Sequence, residues 1–298
     1  MIKHTLEISQ RPARVSLRQQ QIIIHLDEDE RIFAAEDVGV LILQHPAISI
    51  SAAALNALQE AGAAVIICGN NHLPTGLLLP VVTHTELVPR LMAQLEADKP
   101  ARKRAWKSIV QAKVRAQASK IPLPYRGKLQ HMAAKVKSGD PDNIEAQAAK
   151  IYWPARFPER YKVGDKRDAD SDSIFNSALN YGYAIIRASV ARALVSAGLQ
   201  PALGVFHHSR GNPYCLADDV MEPLRPLVDG AVQQILNEEL PPDRKLNKEH
   251  RQKLLSLLTH EVEVNKLSGP LMATLPRYIA SFYRLLTKEA DHLDAPLY

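Results

Sequence analysis

The sequence predicts an α+β protein: a small β-rich N-terminal domain, residues 1–82, followed by a larger all-α C-terminal domain, residues 83–298. Two observations carry this division. Up to Val82 the apolar residues come in short β-branched runs, IIIH, VGVLIL and AISIS, separated by acidic residues, Gly or Pro, which is a strand pattern. From Thr83 onward they recur every three or four residues, which places them on one face of successive helices. The composition allows both. With 298 residues, 46% apolar and 23% charged, the chain can bury a sizeable core, and at 5% aromatic that core must be largely aliphatic.

In the first region one amphipathic helix, SAAALNALQEAGA, interrupts the strands, with Ser51 as its N-cap and Gly62 as its stop. A buried strand, AVIICG, follows, then a turn at GNNHLPTG and a last strand, LLLPVV. In the second region THTELVPRLMAQLEAD gives the first helix. The next, RKRAWKSIVQAKVRAQASK, has a narrow stripe of Trp106, Ile109, Val110, Lys113 and Val114. DPDN then caps a helix whose buried side carries Ile144, Ala148, Ile151 and Tyr152. Residues 156–172 mix charges and helix breakers and read as a loop that could order on DNA. The clearest helix runs from Phe175 to Ala197, with Leu179, Tyr183, Ile186, Val190 and Leu194 on its apolar face and Gly198 as its stop. Later helices are expected near 217–237, 247–261 and 270–289, the first of them kinked by Pro223 and Pro226. The closing residues, KEADHLDAPLY, are compatible with disorder or with a subunit contact. No internal repeat is evident.

Several classes are excluded. Two cysteines, Cys68 and Cys215, cannot form a disulfide framework, and Cys68, ending an apolar run, reads as a small core residue. No segment reaches the ~20 apolar residues of a membrane span, and the N-terminus lacks a signal-peptide core. The expectation is a soluble cytoplasmic protein with no membrane association.

Charge points to a partner. Net charge is +5, and it is concentrated. Lys99, Arg102, Lys103, Arg104, Lys107, Lys113, Arg115, Lys120, Arg126, Lys128, Lys135 and Lys137 fall in one stretch without a single Asp or Glu. A solvated helix normally mixes signs, because like charges a turn apart repel. A polyanion such as nucleic acid would relieve the repulsion, through phosphate contacts that weaken steeply with salt. The plain alternative is a basic solvated face.

Polar chemistry concentrates in residues 204–223, GVFHHSRGNPYCLADDVMEP. On a helix, Asp219 and Glu222 are three apart and Asp218 and Glu222 four apart, so either pair shares a face. Such acids either surround a cation or crowd a helix N-terminus to suit its dipole. The segment ALGVFHH looks extended, which would point His207 and His208 to opposite faces, so at most one joins a given site. Earlier, Glu145 lies in a helix's first turn, where capping or dipole duty is its simplest role. Two carboxylates and one imidazole with open positions would suit Mg²⁺ or Mn²⁺ and leave room for phosphate oxygens. No zinc pattern, P-loop, Rossmann glycine signature or nucleophile elbow competes.

The run SALNYGYAIIRASVARALVSAGLQPALGVFHH, followed by LADDVMEPLRPLVD, resembles the CRISPR-associated Cas-one family of spacer-acquisition integrases and endonucleases. The LNYGY helix, the GLxPxLGxxH turn and the DxMEPxRPxVD helix come in the family's order, and a glutamate stands ahead of AAKIYW. NNHLPTGLLLP also fits, so the likeness covers nearly the whole chain, in a form most like that found with Cas-nine type systems. It implies an N-terminal β-domain used for dimerisation and partner contact, and a helical catalytic domain. It implies a homodimer, two of which flank a Cas-two dimer in a four-plus-two hetero-hexamer. It implies double-stranded DNA, spacer precursor and repeat array, as substrate, and a metal-dependent joining of DNA 3′-hydroxyls to the repeat by transesterification. Residue by residue, the family's metal ligands fall on Glu145, His207 and Glu222, with Mg²⁺ or Mn²⁺ as the cation. The accompanying catalytic acid falls on Asp219, with His208 and Asp218 as one-residue register alternatives. A branched-DNA repair nuclease with the same residues, or a DNA-binding scaffold without catalysis, are the competing readings.

Overall fold

A computed structural model describes residues 3–27, 29–69, 74–81, 84–164, 167–168, 170–171, 173–238 and 245–298. The division into β-rich and mostly helical parts holds. Eight strands come first: β1 (His4–Ile8), β2 (Ala13–Arg18), β3 (Gln21–Leu26), β4 (Asp29–Ala34), β5 (Val38–Leu43), β6 (Ile48–Ile50), β7 (Ala64–Cys68) and β8 (Pro74–Leu78). One helix, α1 (Ala52–Glu60), links β6 to β7, and the Ser51 hydroxyl accepts from Ala54 N at 3.2 Å as its cap. The last strand begins earlier than LLLPVV suggests, at Pro74, while residues 70–73 of the expected turn lie outside the described residues.

The strands form two sheets, ordered β1-β5-β7-β8 and β4-β3-β2-β6. Within the first, β1, β5 and β7 are parallel, so β5 is central. A central parallel strand is covered on both faces, which explains the unbroken apolar run VGVLIL. One face of this sheet presents Leu41 and Val65 to Val15, Ile22, Ile24 and Leu58 of the β-rich part. Its other face presents Val40, Ile42 and Ile66 to the helices. The two parts therefore share a sheet as their common wall. The boundary drawn between 82 and 83 falls on residues outside those described.

The helical part comprises α2 (Leu87–Glu96), α3 (Lys99–Ser119), α4 (Leu123–Lys135), α5 (Ile144–Arg156), α6 (Pro158–Lys162), α7 (Ile174–Ser196), α8 (Cys215–Met221), α9 (Arg225–Leu236), α10 (Lys248–Leu255) and α11 (Leu271–Leu286). The α7 helix is the buried central post, capped by Ser173 and stopped by Gly198 at φ +71°. Two details depart from the sequence pattern, and a third, at Pro223, sharpens it. The helical part is not all-α: β9 (Glu261–Val264) and β10 (Leu267–Pro270) form a hairpin where the helix expected over 247–261 ends. The helix expected over 217–237 is broken, because Pro223 forces a short 3-10 turn, Glu222–Leu224, between α8 and α9. The loop expected over 156–172 contains α6, with residues 165, 166, 169 and 172 outside the described set. The closing residues fold back. Leu297 and Glu263 exchange backbone hydrogen bonds at 2.9 Å, and the Tyr298 hydroxyl donates to the Pro223 carbonyl at 2.7 Å. Among the described residues, no helix is long and apolar enough to cross a membrane.

Candidate active site

Four elements meet at the 3-10 turn after α8. Helix α5 brings Glu145, because Asp140 folds beneath its first turn and accepts from Ile144 N at 2.8 Å and Glu145 N at 3.0 Å. The turn itself brings Glu222, only 4% exposed. Helix α3 brings Lys113, whose side chain is 12% exposed. Its ammonium lies 2.6 Å from Glu145 Oε1 and 2.5 Å from Glu222 Oε2. Helix α9 brings Arg225, whose Nε donates to Glu222 Oε1 at 2.8 Å and whose guanidinium lies 4.6 Å from the Tyr183 ring centroid.

These charges set one another's protonation. Burial opposes the charged Glu222, yet Arg225 and Lys113 outweigh it and hold its carboxyl down to about 2. Burial likewise opposes a charged Lys113, and Glu222 with Glu145 overcome it, raising the ammonium's pKa. Glu222 and Lys113 are thus both charged at neutral pH, with the ammonium seated between the Glu222 and Glu145 carboxyl groups.

His207 approaches from the 203–209 segment, and Asp219 holds it there. Asp219 is 0% exposed. Its Oδ2 accepts from Val205 N at 2.7 Å and Phe206 N at 3.0 Å, and its Oδ1 from His207 N at 3.2 Å. The His207 Nδ1 completes the set at 2.6 Å from Oδ1. Four donors fill the roughly four lone-pair sites of a carboxylate, so Asp219 acts through the loop and the imidazole. Nε2 is the ring nitrogen that Asp219 does not engage, on a side chain 45% exposed. Hydrogen bonding to Asp219 raises the His207 pKa against the effect of burial, and Asp219, Glu222 and Glu145 add to it by charge. Gly204 makes this approach possible, since a Cβ there would lie 2.9 Å from Asp219 Oδ2.

The neighbouring residues part company from these. His208 is exposed and lines a different groove, while Asp218 pairs with Arg187 at 3.1 Å and accepts from Asn212 at 2.6 Å. The 203–209 segment is bent rather than a strand, yet the two histidines still diverge. A groove of about 410 Å³ beside His207 is lined by Arg167, Asn180, Tyr183, Arg187, Asp218 and Arg225. Three guanidiniums in one groove suit phosphate oxygens. Arg167 is held in place by Asn176 at 3.0 Å and Asn180 at 2.7 Å.

Among the described residues, no three His, Cys, Asp or Glu side chains converge closely enough to chelate a metal as they stand. The space between Glu145 and Glu222 is taken by the Lys113 ammonium. Two carboxylates already within 2.6 Å of one cationic atom form an oxygen pair that a divalent cation could share, with His207 beside it.

Sequence reasoning passed over Lys113, Arg225, Arg167 and Asp229. The Lys113 signal was present: a lone cation on the apolar stripe of α3. Asp229 lies beneath the site, 1% exposed, accepting from the Tyr152 hydroxyl at 2.8 Å and from the Tyr183 hydroxyl. Burial pushes its carboxyl up from 3.8 to about 6, against the lowering effect of both phenols and Arg225. A folded-state pKa above the unfolded one means that this group's contribution is largest below pH 3.8 and is lost as pH rises through about 6. Wild type should therefore gain about 2 kcal/mol relative to Asp229→Asn between about pH 7.5 and 4.5. Urea unfolding of both proteins at the two pH values checks this, and parallel pH profiles would refute it.

Comparison with known proteins gives one consistent answer. The family model described as CRISPR associated protein Cas1 matches residues 6–262. The CRISPR-associated endonuclease Cas1 of Neisseria meningitidis serogroup C (strain 8013) is 35% identical over 297 residues, covering 96% of this chain and 94% of its own. Among solved structures, a casposase bound to integration product superposes with a TM-score of 0.78 at 20% identity, covering 98% of this chain and 93% of that one. A Cas6-RT-Cas1–Cas2 complex gives 0.74 at 17% identity, covering 99% of this chain and 36% of the matched one.

Proposed function

This chain belongs to the CRISPR-associated Cas1 family, and from that premise we propose that it is a divalent-metal-dependent DNA integrase and endonuclease of CRISPR adaptation. Its reaction is a transesterification: the 3′-hydroxyl of spacer DNA attacks a repeat phosphodiester, one P–O bond forms, one breaks, and no protein nucleophile is used. The observation that carries the reading is the convergence of Glu145 and Glu222 on a single cationic atom, with His207 fixed beside them.

Glu145, Glu222 and the Nε2 of His207 would hold the cation, Mg²⁺ or Mn²⁺. Bound there, it would acidify the attacking hydroxyl and offset charge on the phosphoryl oxygens. The protein's own groups do the rest. Arg167, Arg187 and Arg225 bind and orient the phosphates flanking the reacting one. Asp219 keeps the His207 Nδ1 occupied, so that Nε2 is the nitrogen presented. Tyr183 supports Arg225 from behind while its hydroxyl is anchored on Asp229. Along α3 and α4, the exposed Lys99, Lys103, Arg104, Arg115, Lys128 and Lys135 offer phosphate contacts that position DNA without reading its bases. The natural assembly is a homodimer joining a Cas2 dimer, four copies to two, on double-stranded spacer and repeat DNA, in the cytoplasm.

The test is strand transfer of short duplex donors into supercoiled DNA carrying a repeat array, with the Cas2 partner present. Donor DNA should become covalently joined in Mn²⁺ or Mg²⁺ and remain free in EDTA. Cut but unjoined strands would instead make the chain a nuclease using water, and binding without chemistry in either metal would make it a scaffold.

A further inference from the structure

The turn that carries Glu222 is short of backbone donors. Pro223 and Pro226 have no N–H, so two of the hydrogen bonds of a continuous helix cannot form through this point. The end of α8 and the start of α9 also meet here, and each leaves backbone groups without helical partners. The N-cap of α9, Leu224, makes no side-chain cap bond. Two phenols from distant parts of the chain supply what is missing. Tyr278, fully buried on α11, donates to the Val220 carbonyl at 2.9 Å, just before Glu222. Tyr298 donates to the Pro223 carbonyl at 2.7 Å, just after it, and its oxygen also accepts from the Leu227 N–H in the first turn of α9. One hydroxyl therefore joins the two ends of the stretch 223–227, and Arg225, which pairs with Glu222, lies between them.

Tyr298 is itself firmly held. Leu297 beside it exchanges two backbone hydrogen bonds with Glu263 of β9, each at 2.9 Å. Lys120, at the end of α3, donates to the Tyr298 carbonyl at 3.1 Å and sets its ammonium 4.7 Å from the ring centroid. The Lys120 carbonyl in turn accepts from Arg156, at the end of α5, at 3.1 Å. Lys120 follows Lys113 by about two helical turns, so α3 grips Glu222 through one lysine and the turn that carries it, by way of Tyr298, through the other. Helix α5 carries Glu145 in its first turn and Arg156 in its last. Tyr298 thus fixes the Glu222 turn relative to the two helices that bring Lys113 and Glu145. Because its partners bracket Arg225 and adjoin Glu222, a slackened turn displaces those two side chains first.

We propose that Tyr298 is a positioning residue of the active site: its hydroxyl fixes the proline-broken turn so that Glu222 and Arg225 stand in register with Glu145. The inference rests on the DNA-joining function proposed above. It gives the closing residues a part in the rate of joining and none in the binding of DNA.

Tyr298→Phe keeps the ring and its Lys120 contact and removes only the hydroxyl. With the Cas2 partner, Mn²⁺ and saturating donor, it should join strands about tenfold more slowly than wild type, since slightly misplaced groups slow a transfer steeply. Its affinity for labelled donor duplex, measured by anisotropy in EDTA, should be unchanged. Hydrogen exchange read by mass spectrometry should quicken in the peptide spanning 222–228. Ser51→Ala is the control for lost stability alone, since it removes the cap of α1 in the β-rich part. It should melt earlier and leave all three readouts at wild-type values. Undiminished joining by Tyr298→Phe, unchanged exchange at 222–228, a loss of donor affinity equal to the loss of rate, or an equal slowing in Ser51→Ala overturns the inference. If it is overturned while wild type joins donor DNA, the proposed function stands. If wild type joins none in either metal, both fall.

Discussion

Glu222→Gln should reduce strand transfer by at least about 10²–10³-fold, the scale of removing a principal electrostatic contact from a phosphoryl or acyl transfer site. Glutamine keeps the shape and one acceptor for Arg225 but withdraws the charge that balances Lys113. The alanine variant is a poorer test of chemistry. Lys113 and Arg225 both pair with Glu222, at 2.5 and 2.8 Å, inside a site where its carboxylate is only 5% exposed. Removing the shared anion leaves two cations facing each other, and breaking such a pair costs about 3–5 kcal/mol. Both variants should lose stability as well as chemistry, Glu222→Gln less than Glu222→Ala because it keeps the packing and one acceptor. Thermal melts beside strand-transfer rates separate the two, and a well-folded Glu222→Gln with undiminished joining would remove Glu222 from the active site. The acid limb has a definite sign. A carboxyl depressed from 4.5 to about 2 contributes stability that is complete above pH 4.5 and lost as pH falls through about 2.

Asp219→Ala should destabilise the protein by at least about 3 kcal/mol, because each buried donor left without its acceptor costs about 1–3 kcal/mol. Three backbone N–H groups and one imidazole end on this carboxylate, which is 0% exposed. Asp219→Asn keeps the volume but turns an amide NH₂ toward groups that are themselves donors, so it should rescue little. A structural role alone would lower stability and nothing else. A role in presenting His207 predicts a second change: without its first and largest support, the Asp219 hydrogen bond, the imidazole pKa should fall back toward 6.5. NMR titration of His207 in wild type and Asp219→Asn reads this directly, and an unmoved titration would confine Asp219 to holding the loop.

How much of this was legible in the residues differs by element. The buried strand β5 could be read from VGVLIL, because a central parallel strand has no solvent face and needs no alternation. The α7 helix could be read from its period of three and four, because a long buried helix exposes few positions to noise. The β9–β10 hairpin could not. Its residues, EVEVNKLSGP, are a short stretch beside the helical pattern on either side, and the hairpin they form packs against α11 and the returning Leu297. Glu145, His207, Asp219 and Glu222 were found by likeness to a family; as bare residues, the three acids also passed for helix-terminal acids.

The sequence by itself determined the strand-rich start and the main helices that follow it, the one-signed charge of residues 99–137 and the break that Pro223 puts into the helix over 217–237. Each of these depends on neighbours along the chain, where side-chain size, β-branching and the missing proline N–H act locally. Tertiary structure alone decided the roles. It brought Lys113 to two carboxylates more than thirty and one hundred positions downstream, and it gave Asp219 to the loop and His207 to the groove. It also brought the Tyr298 hydroxyl back to the Pro223 carbonyl. These are pairings between groups distant in sequence, and burial and charge fix them only once the helices have packed.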